Sequence, residues 1–310
     1  MSIAFVFPGQ GAQTIGMGKD IAEAYPAAQA VFEEVDDALG EKLSDLIWNG
    51  DQDALTLTQN AQPALMAMSM AVMRALEAEG VDVDRASFVA GHSLGEYSAL
   101  VAAGTLSVAD AARLLRTRGE AMQAAVPVGV GAMAALLGLD FETAMAVADE
   151  VAGNDVCEAA NDNDPGQVVV SGHVGAVERA VEKAKLRGAK RAVMLPVSAP
   201  FHCSLMQPAA DAMAEALSQV DMKAPRVPVV TNVQAQGTNS AAVLRNLLVE
   251  QITGSVRWRE SVTWMAEHGV TEIWEIGAGK ALSGMVRRID RSVATRAISK
   301  PEDVKAAAEG

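Results

Sequence analysis

Cysteine, histidine and aromatic residues are all scarce in this chain, and each shortage removes a class of protein. Two cysteines, Cys157 and Cys203, among 310 residues provide neither a disulfide framework nor metal-ligand spacing. Four histidines leave a structural zinc site short of donors, so no metal is expected; no cofactor is expected either. Aromatics at 4% speak against an aromatic-rich β-sandwich and for helices packed closely on a sheet. No apolar run approaches the roughly 18 residues of a membrane span. Basic residues are outnumbered, and a net charge of −14 argues against general nucleic-acid binding. The opening "MSIAFVFPGQG" has no basic leader and turns polar after one strand's length, so it does not read as a signal peptide, and a reducing cytoplasm is the expected compartment.

Half the residues are apolar, enough for one large core, or for one core with a smaller domain inserted into it. Ile3 to Phe7 reads as a buried strand ending at Pro8-Gly9, and helical patterns follow at about 17–39 and 61–79. "SFVA" is a second strand, followed by a serine turn and a helix from about 94 to Gly104; Ser107 caps the next helix, with Asp110 completing a capping-box pattern. Between 128 and 198 the order becomes βαββαβ, a ferredoxin-like arrangement bounded by Pro127, Pro196 and Pro200. The expected organisation is α/β, with a discontinuous large domain (1–127 and 199–310) and an inserted small domain (128–198).

Gly91-His92-Ser93-Leu94-Gly95 fits G-x-S-x-G with a strand before it and a helix after. This is the context in which a sharp turn exposes a serine hydroxyl beside a helix N-terminus, which favours developing negative charge. A serine nucleophile needs a base. His202, in the loop "VSAPFHCSLM", is the best candidate; His92 adjoins the nucleophile and would point away, while His173 and His268 read as solvent-exposed. Asp140, Asp162 and Asp164 could complete a triad, but none has a distinguishing context, so a dyad is preferred, its histidine oriented by a backbone carbonyl or a side-chain amide. Cys203 is a rival nucleophile that reads more simply as a packed thiol.

Arg118 falls on the apolar stripe of the helix from 107 to about 125, set by Val108, Ala111, Leu115 and Met122. Arg113 and Arg116 lie off it. An inward guanidinium needs an anionic partner, either a protein acid or a substrate carboxylate held by two parallel hydrogen bonds. Gln251 is a similar anomaly on an apolar stripe, free to bind a histidine, a substrate or neighbouring backbone. "GQGAQT" and "GAGKAL" lack the third glycine of a dinucleotide loop, and "GMGKD" lacks the Ser or Thr of a phosphate loop. The Gly9–Gly11 backbone is better suited to an oxyanion hole, with the Leu94 N–H as second donor.

"FVFPGQGAQ", "TQNAQPAL", "GHSLGEYSAL", "LRTRGEAMQ", "NDPGQVVVSG", "PFHCSLM", "PVVTN" and "EIGAGKALSGM", in this order and spacing, resemble the malonyl-CoA:acyl carrier protein transacylase family of type II fatty acid synthesis over nearly the whole chain. The resemblance implies an α/β-hydrolase-like core with a ferredoxin-like insertion. It also implies Ser93 as nucleophile, His202 as base, Gln10 and Leu94 as oxyanion donors, Arg118 as the malonyl-carboxylate site, Gln251 as the histidine-orienting residue, and Asn161 near the site. Phe201 resembles the malonyl-type signature of modular synthases and suggests a pocket closed to an α-methyl branch. The implied reaction is ping-pong transfer from malonyl-CoA to acyl carrier protein; a monomer is the expected state, though nothing in the sequence fixes it. Lys183, Lys185, Arg187, Lys190 and Arg191, or Arg287, Arg288 and Arg291, offer local positive surface for an acidic carrier. A serine esterase or thioesterase, and a malonyl transferase serving malonate decarboxylase, are the alternative activities; a non-catalytic carrier-binding module is a third.

Overall fold

The computed structural model describes residues 2–309. Among the described residues ten strands form two sheets: β1 (Ser2–Phe7), β2 (Ala86–Gly91), β3 (Gly131–Leu137), β4 (Cys157–Asp164), β5 (Gln167–His173), β6 (Arg191–Met194), β7 (Val229–Val230), β8 (Gly237–Thr238), β9 (Val270–Ile276) and β10 (Ala294–Ile298). The larger sheet runs β10-β9-β1-β2-β7-β8, parallel except for the β7–β8 pair. The smaller, β4-β5-β3-β6, is wholly antiparallel. The fold is thus mixed α/β with a parallel sheet and a separate antiparallel one.

β1 is an unbroken apolar run because it lies at the sheet centre with both faces covered. Phe5 and Phe7 face the cluster built on the Thr58–Ala78 helix, while Ala4 and Val6 face one built on Trp258 and Val262. The Thr58–Ala78 helix is buried almost all round, so its methionine-rich sides pack on neighbours in every direction. A third cluster, with Leu136, Val147, Val170 and Val177, lies between the small sheet and its two helices.

Two breaks depart from the patterns read in the sequence. The stretch at 17–39 is two helices, Lys19–Ala24 and Pro26–Leu39, because Tyr25 before a proline is pushed to extended geometry, φ −130° and ψ 111°. The helix expected at 61 begins at Thr58 and accommodates Pro63. What positions the site is register: β1 and β2 are parallel neighbours whose last residues, Phe7 and Gly91, pair directly. The loop after β1 and the serine turn after β2 therefore emerge side by side at the carboxyl edge of the sheet, where open α/β sheets bind ligands.

Candidate active site

The turn after β2 is tight enough that only glycine fits its flanks. A Cβ on Gly91 would lie 1.9 Å from the Gly95 carbonyl carbon, and one on Gly95 would lie 2.3 Å from the Phe7 carbonyl oxygen. Between them Ser93 holds φ 54°, and His202 holds φ 59°. Left-handed backbone at a non-glycine residue costs of order 1–3 kcal/mol and collects at functional sites.

Ser93 Oγ lies 2.7 Å from His202 Nε2, across 109 residues of sequence. His202 Nδ1 is 2.8 Å from the main-chain carbonyl of Gln251. A carbonyl only accepts, so Nδ1 carries the proton and Nε2 is left to take one from serine. The imidazole is buried, and burial followed by the nearby Arg118 charge pushes its pKa down to about 3, which keeps it neutral.

Arg118 turns inward, as its place on the stripe demanded, and is 2% exposed. Its Nη1 donates to Gln62 Oε1 at 2.7 Å, and its Nη2 donates to Gln251 Oε1 at 2.9 Å and to Ser93 Oγ at 3.2 Å; the Tyr97 ring lies 5.8 Å from its guanidinium carbon. Nε has no partner. No carboxylate among the described residues forms an ion pair with it. The nearest acid influence is Glu96, which is fully buried and reaches it only through an amide: Gln251 Nε2 donates to Glu96 Oε2 at 2.8 Å. Burial pushes the Glu96 carboxyl up to about 7.

Gln251 thus orients His202 through its backbone, while its side chain serves Arg118 and the serine turn, donating to the Ser93 carbonyl at 3.0 Å. Asn232 completes the turn: its Oδ1 accepts from the Ser93 N–H at 2.7 Å and its Nδ2 donates to the Gly91 carbonyl at 2.6 Å. The main-chain N–H groups of Gln10 and Leu94 have no acceptor among the described residues, and both residues line a cavity of about 440 Å³ with Ser93, Arg118, His202 and Asn161. Phe201, Met122 and Met133 supply its apolar wall.

The other candidates fall elsewhere. Asp162 and Asp164 pair with Arg259 and Arg288 at 2.7 Å each, and Asp140 caps the helix that follows it, so none of them meets His202. Cys203 is buried and donates to the Pro200 carbonyl, with its thiol held up at about 11 by burial; it is poorly placed as a nucleophile. His92 Nε2 turns to Asn163, 2.8 Å away. His173 is half-buried and accepts from the Val156 N–H, unlike the solvated histidine expected, while His268 is exposed. Glu96, Asn232 and Gln62 were not singled out from the sequence. Gln62 carried a usable signal, since a polar residue inside a helix that is apolar all round must find a partner.

Among the described residues no cluster of three His, Cys, Asp or Glu side chains could hold a metal ion, and no helix is long and apolar enough to cross a membrane. The family of the acyl transferase domain matches residues 4–297. The malonyl CoA-acyl carrier protein transacylase of Bacillus subtilis is 50% identical over 307 residues, covering 98% of this chain and 96% of its own. The chain belongs to the malonyl-CoA:acyl carrier protein transacylase family. An acyl-carrier-protein-S-malonyltransferase from Bartonella henselae superposes on this transacylase fold with a TM-score of 0.98, at 56% identity, over 100% of this chain and 99% of that one. A malonyl-transacylase solved in complex with a type II PKS acyl-carrier protein has a TM-score of 0.97 at 43% identity, over 100% and 99% of the two chains.

Proposed function

We propose that this transacylase carries a malonyl group from malonyl-CoA to the phosphopantetheine thiol of acyl carrier protein through a malonyl ester on Ser93. The observation that carries the reading is Arg118: a buried guanidinium that, among the described residues, has no acid partner and an unpaired Nε, in hydrogen-bond contact with Ser93. A cation left so is a receptor for a carboxylate delivered by the substrate.

Ser93 gives its proton to His202 Nε2 as its oxygen attacks the thioester carbon. The N–H groups of Gln10 and Leu94, without protein acceptors, stabilise the oxyanion. Collapse breaks the C–S bond, and the CoA sulfur leaves with the proton held by His202. The carrier thiol then passes its proton to His202, attacks the ester, and Ser93 recovers its proton as the product departs. A substrate carboxylate on Arg118 also offsets the cation that depresses His202, which makes the imidazole a better base when malonyl is bound.

The fold that accompanies this reading is an α/β-hydrolase-like core carrying a ferredoxin-like insertion over 128–198. Its supports are the serine turn after a central parallel strand and the β4-β5-β3-β6 order of the antiparallel sheet. For the carrier, Lys183 and Arg187 already pair with Glu150, Lys185 with Glu182, and Arg288 with Asp164. That leaves Lys190 with Arg191, and Arg287 with Arg291, as exposed cations of the two basic stretches.

The test is release of CoA from malonyl-CoA with and without phosphopantetheinylated carrier. Carrier-dependent release with malonyl recovered on the carrier thiol is expected; release at the same rate without carrier, giving free malonate, would make the chain a hydrolase.

A further inference from the structure

Thr58 and Gln62 take no part in the chemistry above, yet they are 0% and 1% exposed and stand between two groups that do. Arg118 Nη1 donates to Gln62 Oε1 at 2.7 Å, Gln62 Nε2 donates to Thr58 Oγ1 at 2.9 Å, and Thr58 Oγ1 donates to Gln10 Oε1 at 3.0 Å. The direction of this chain is fixed from one end. A guanidinium can only donate, so Gln62 must present its oxygen to Arg118 and its Nε2 to Thr58. The hydroxyl accepts there and spends its single proton on Gln10, whose side chain is otherwise at the exposed mouth of the cavity.

The backbone leaves little slack along this path. A Cβ on Gly119 would lie 2.4 Å from Gln59 Cα and 2.8 Å from the Thr58 carbonyl oxygen, so the helix carrying Arg118 rests directly on the first turn of the helix carrying Thr58. A shift of the guanidinium is passed on through hydrogen bonds rather than absorbed by side chains between the helices.

We propose that Gln62 and Thr58 are positioning residues that couple occupation of Arg118 by the acyl carboxylate to the placement of the Gln10 oxyanion donor. The inference rests on the roles given to Arg118 and Gln10 under the proposed function. A malonyl thioester thereby assembles its own oxyanion hole: its carboxylate fixes Arg118, and the relay fixes Gln10. An acetyl thioester reaches the same serine with Arg118 held only by the oxygens of Gln62, Gln251 and Ser93, so discrimination acts on the chemical step as well as on binding.

The experiment is rapid-quench acylation of the full-length chain by malonyl-CoA and by acetyl-CoA, read by intact mass, for the wild type, Thr58→Val, Thr58→Ser and Arg118→Met, and for Thr58→Val combined with Arg118→Met. The rate constant of a single-exponential acylation does not depend on the folded fraction, so a less stable variant still reports. Thr58→Val, which keeps the shape and removes the hydroxyl, is expected to slow malonylation by about tenfold, less than outright loss of an oxyanion donor, and acetylation by about twofold or less. Thr58→Ser restores the malonyl rate. In the Arg118→Met background Thr58→Val adds no further loss, the non-additivity of residues acting through one path. Equal slowing with both acyl groups, or full additivity with Arg118→Met, overturns the coupling. Thr58→Val at the wild-type rate overturns the relay alone, whereas a wild type that takes up no malonyl group overturns the function and the relay with it.

Discussion

Replacing Arg118 by methionine removes the cation while keeping an apolar side chain in a pocket lined by Met122 and Met133. On the proposed reading the substrate carboxylate would meet a guanidinium that is 2% exposed, held by two amide oxygens and without an acid partner among the described residues. Removing one member of a buried ion pair costs about 3–5 kcal/mol, because the other charge stays desolvated and alone. At about 1.4 kcal/mol per decade of rate, kcat/KM for malonyl-CoA is expected to fall by roughly a hundred- to several-thousand-fold. Acetyl-CoA has no carboxylate to strand, and loss of the charge that depresses His202 favours the base, so its kcat/KM is expected to change by less than about tenfold. The assay is carrier-dependent release of CoA from each thioester, with circular dichroism to confirm folding. Equal losses for the two thioesters would refute carboxylate recognition by Arg118 and assign the residue to the scaffold.

Three further outcomes follow from the same geometry. Because His202 is held at about 3, it is neutral and competent as a base at every pH above that value; the Ser93 acylation rate constant, followed by rapid quench, should stay level from pH 8 down to about pH 5, and a fall centred near the ordinary histidine pKa of about 6.5 would show an imidazole that titrates as if exposed. Glu96 titrates in the opposite sense: its folded pKa of about 7 lies above the model-compound 4.5, so its stabilising protonated form is complete below the unfolded value and is lost as pH rises through 7. Chemical denaturation at pH 5 and pH 8 should then show a wild-type loss of up to about 3 kcal/mol that Glu96→Gln removes, and identical pH profiles for the two proteins would mean that the carboxyl is not desolvated. Gly91→Ala forces a Cβ to within 1.9 Å of the Gly95 backbone and should destabilise the chain by more than about 4 kcal/mol, seen as a collapsed melting temperature or insoluble protein; near-native melting would contradict the tight turn.

The serine turn was legible because its requirements are local: two glycines, a strand before and a helix after. Arg118 was legible because a charge on an apolar stripe is an anomaly whatever it binds, and the same logic found Gln251. The atom by which Gln251 holds the histidine was not legible, since its carbonyl serves His202 only because the Ala241–Thr253 helix ends beside that loop. Glu96 and Asn232 escaped for a related reason. Glu96 sits in the first turn of a helix, where an acid is ordinarily solvated beside the dipole, and only the burial of residues 95–101 of the Gly95–Ala102 helix turns it into an interior group. Asn232 lies 139 residues from the turn it stabilises. Among the strands, β10 was missed because "ATRAI" is a half-exposed edge carrying Arg296, and edge strands are blunted with charge.

The central claim is that Ser93 carries the malonyl group between two thiols. Intact-protein mass spectrometry after brief mixing with malonyl-CoA, followed by peptide mapping and addition of phosphopantetheinylated carrier, tests it directly. The account predicts a malonyl-sized gain on the Ser93 peptide, absent in Ser93→Ala, that disappears as the same mass arrives on the carrier. A gain on another residue, persistence of the adduct in Ser93→Ala, or its decay to free malonate at a rate indifferent to the carrier would contradict it.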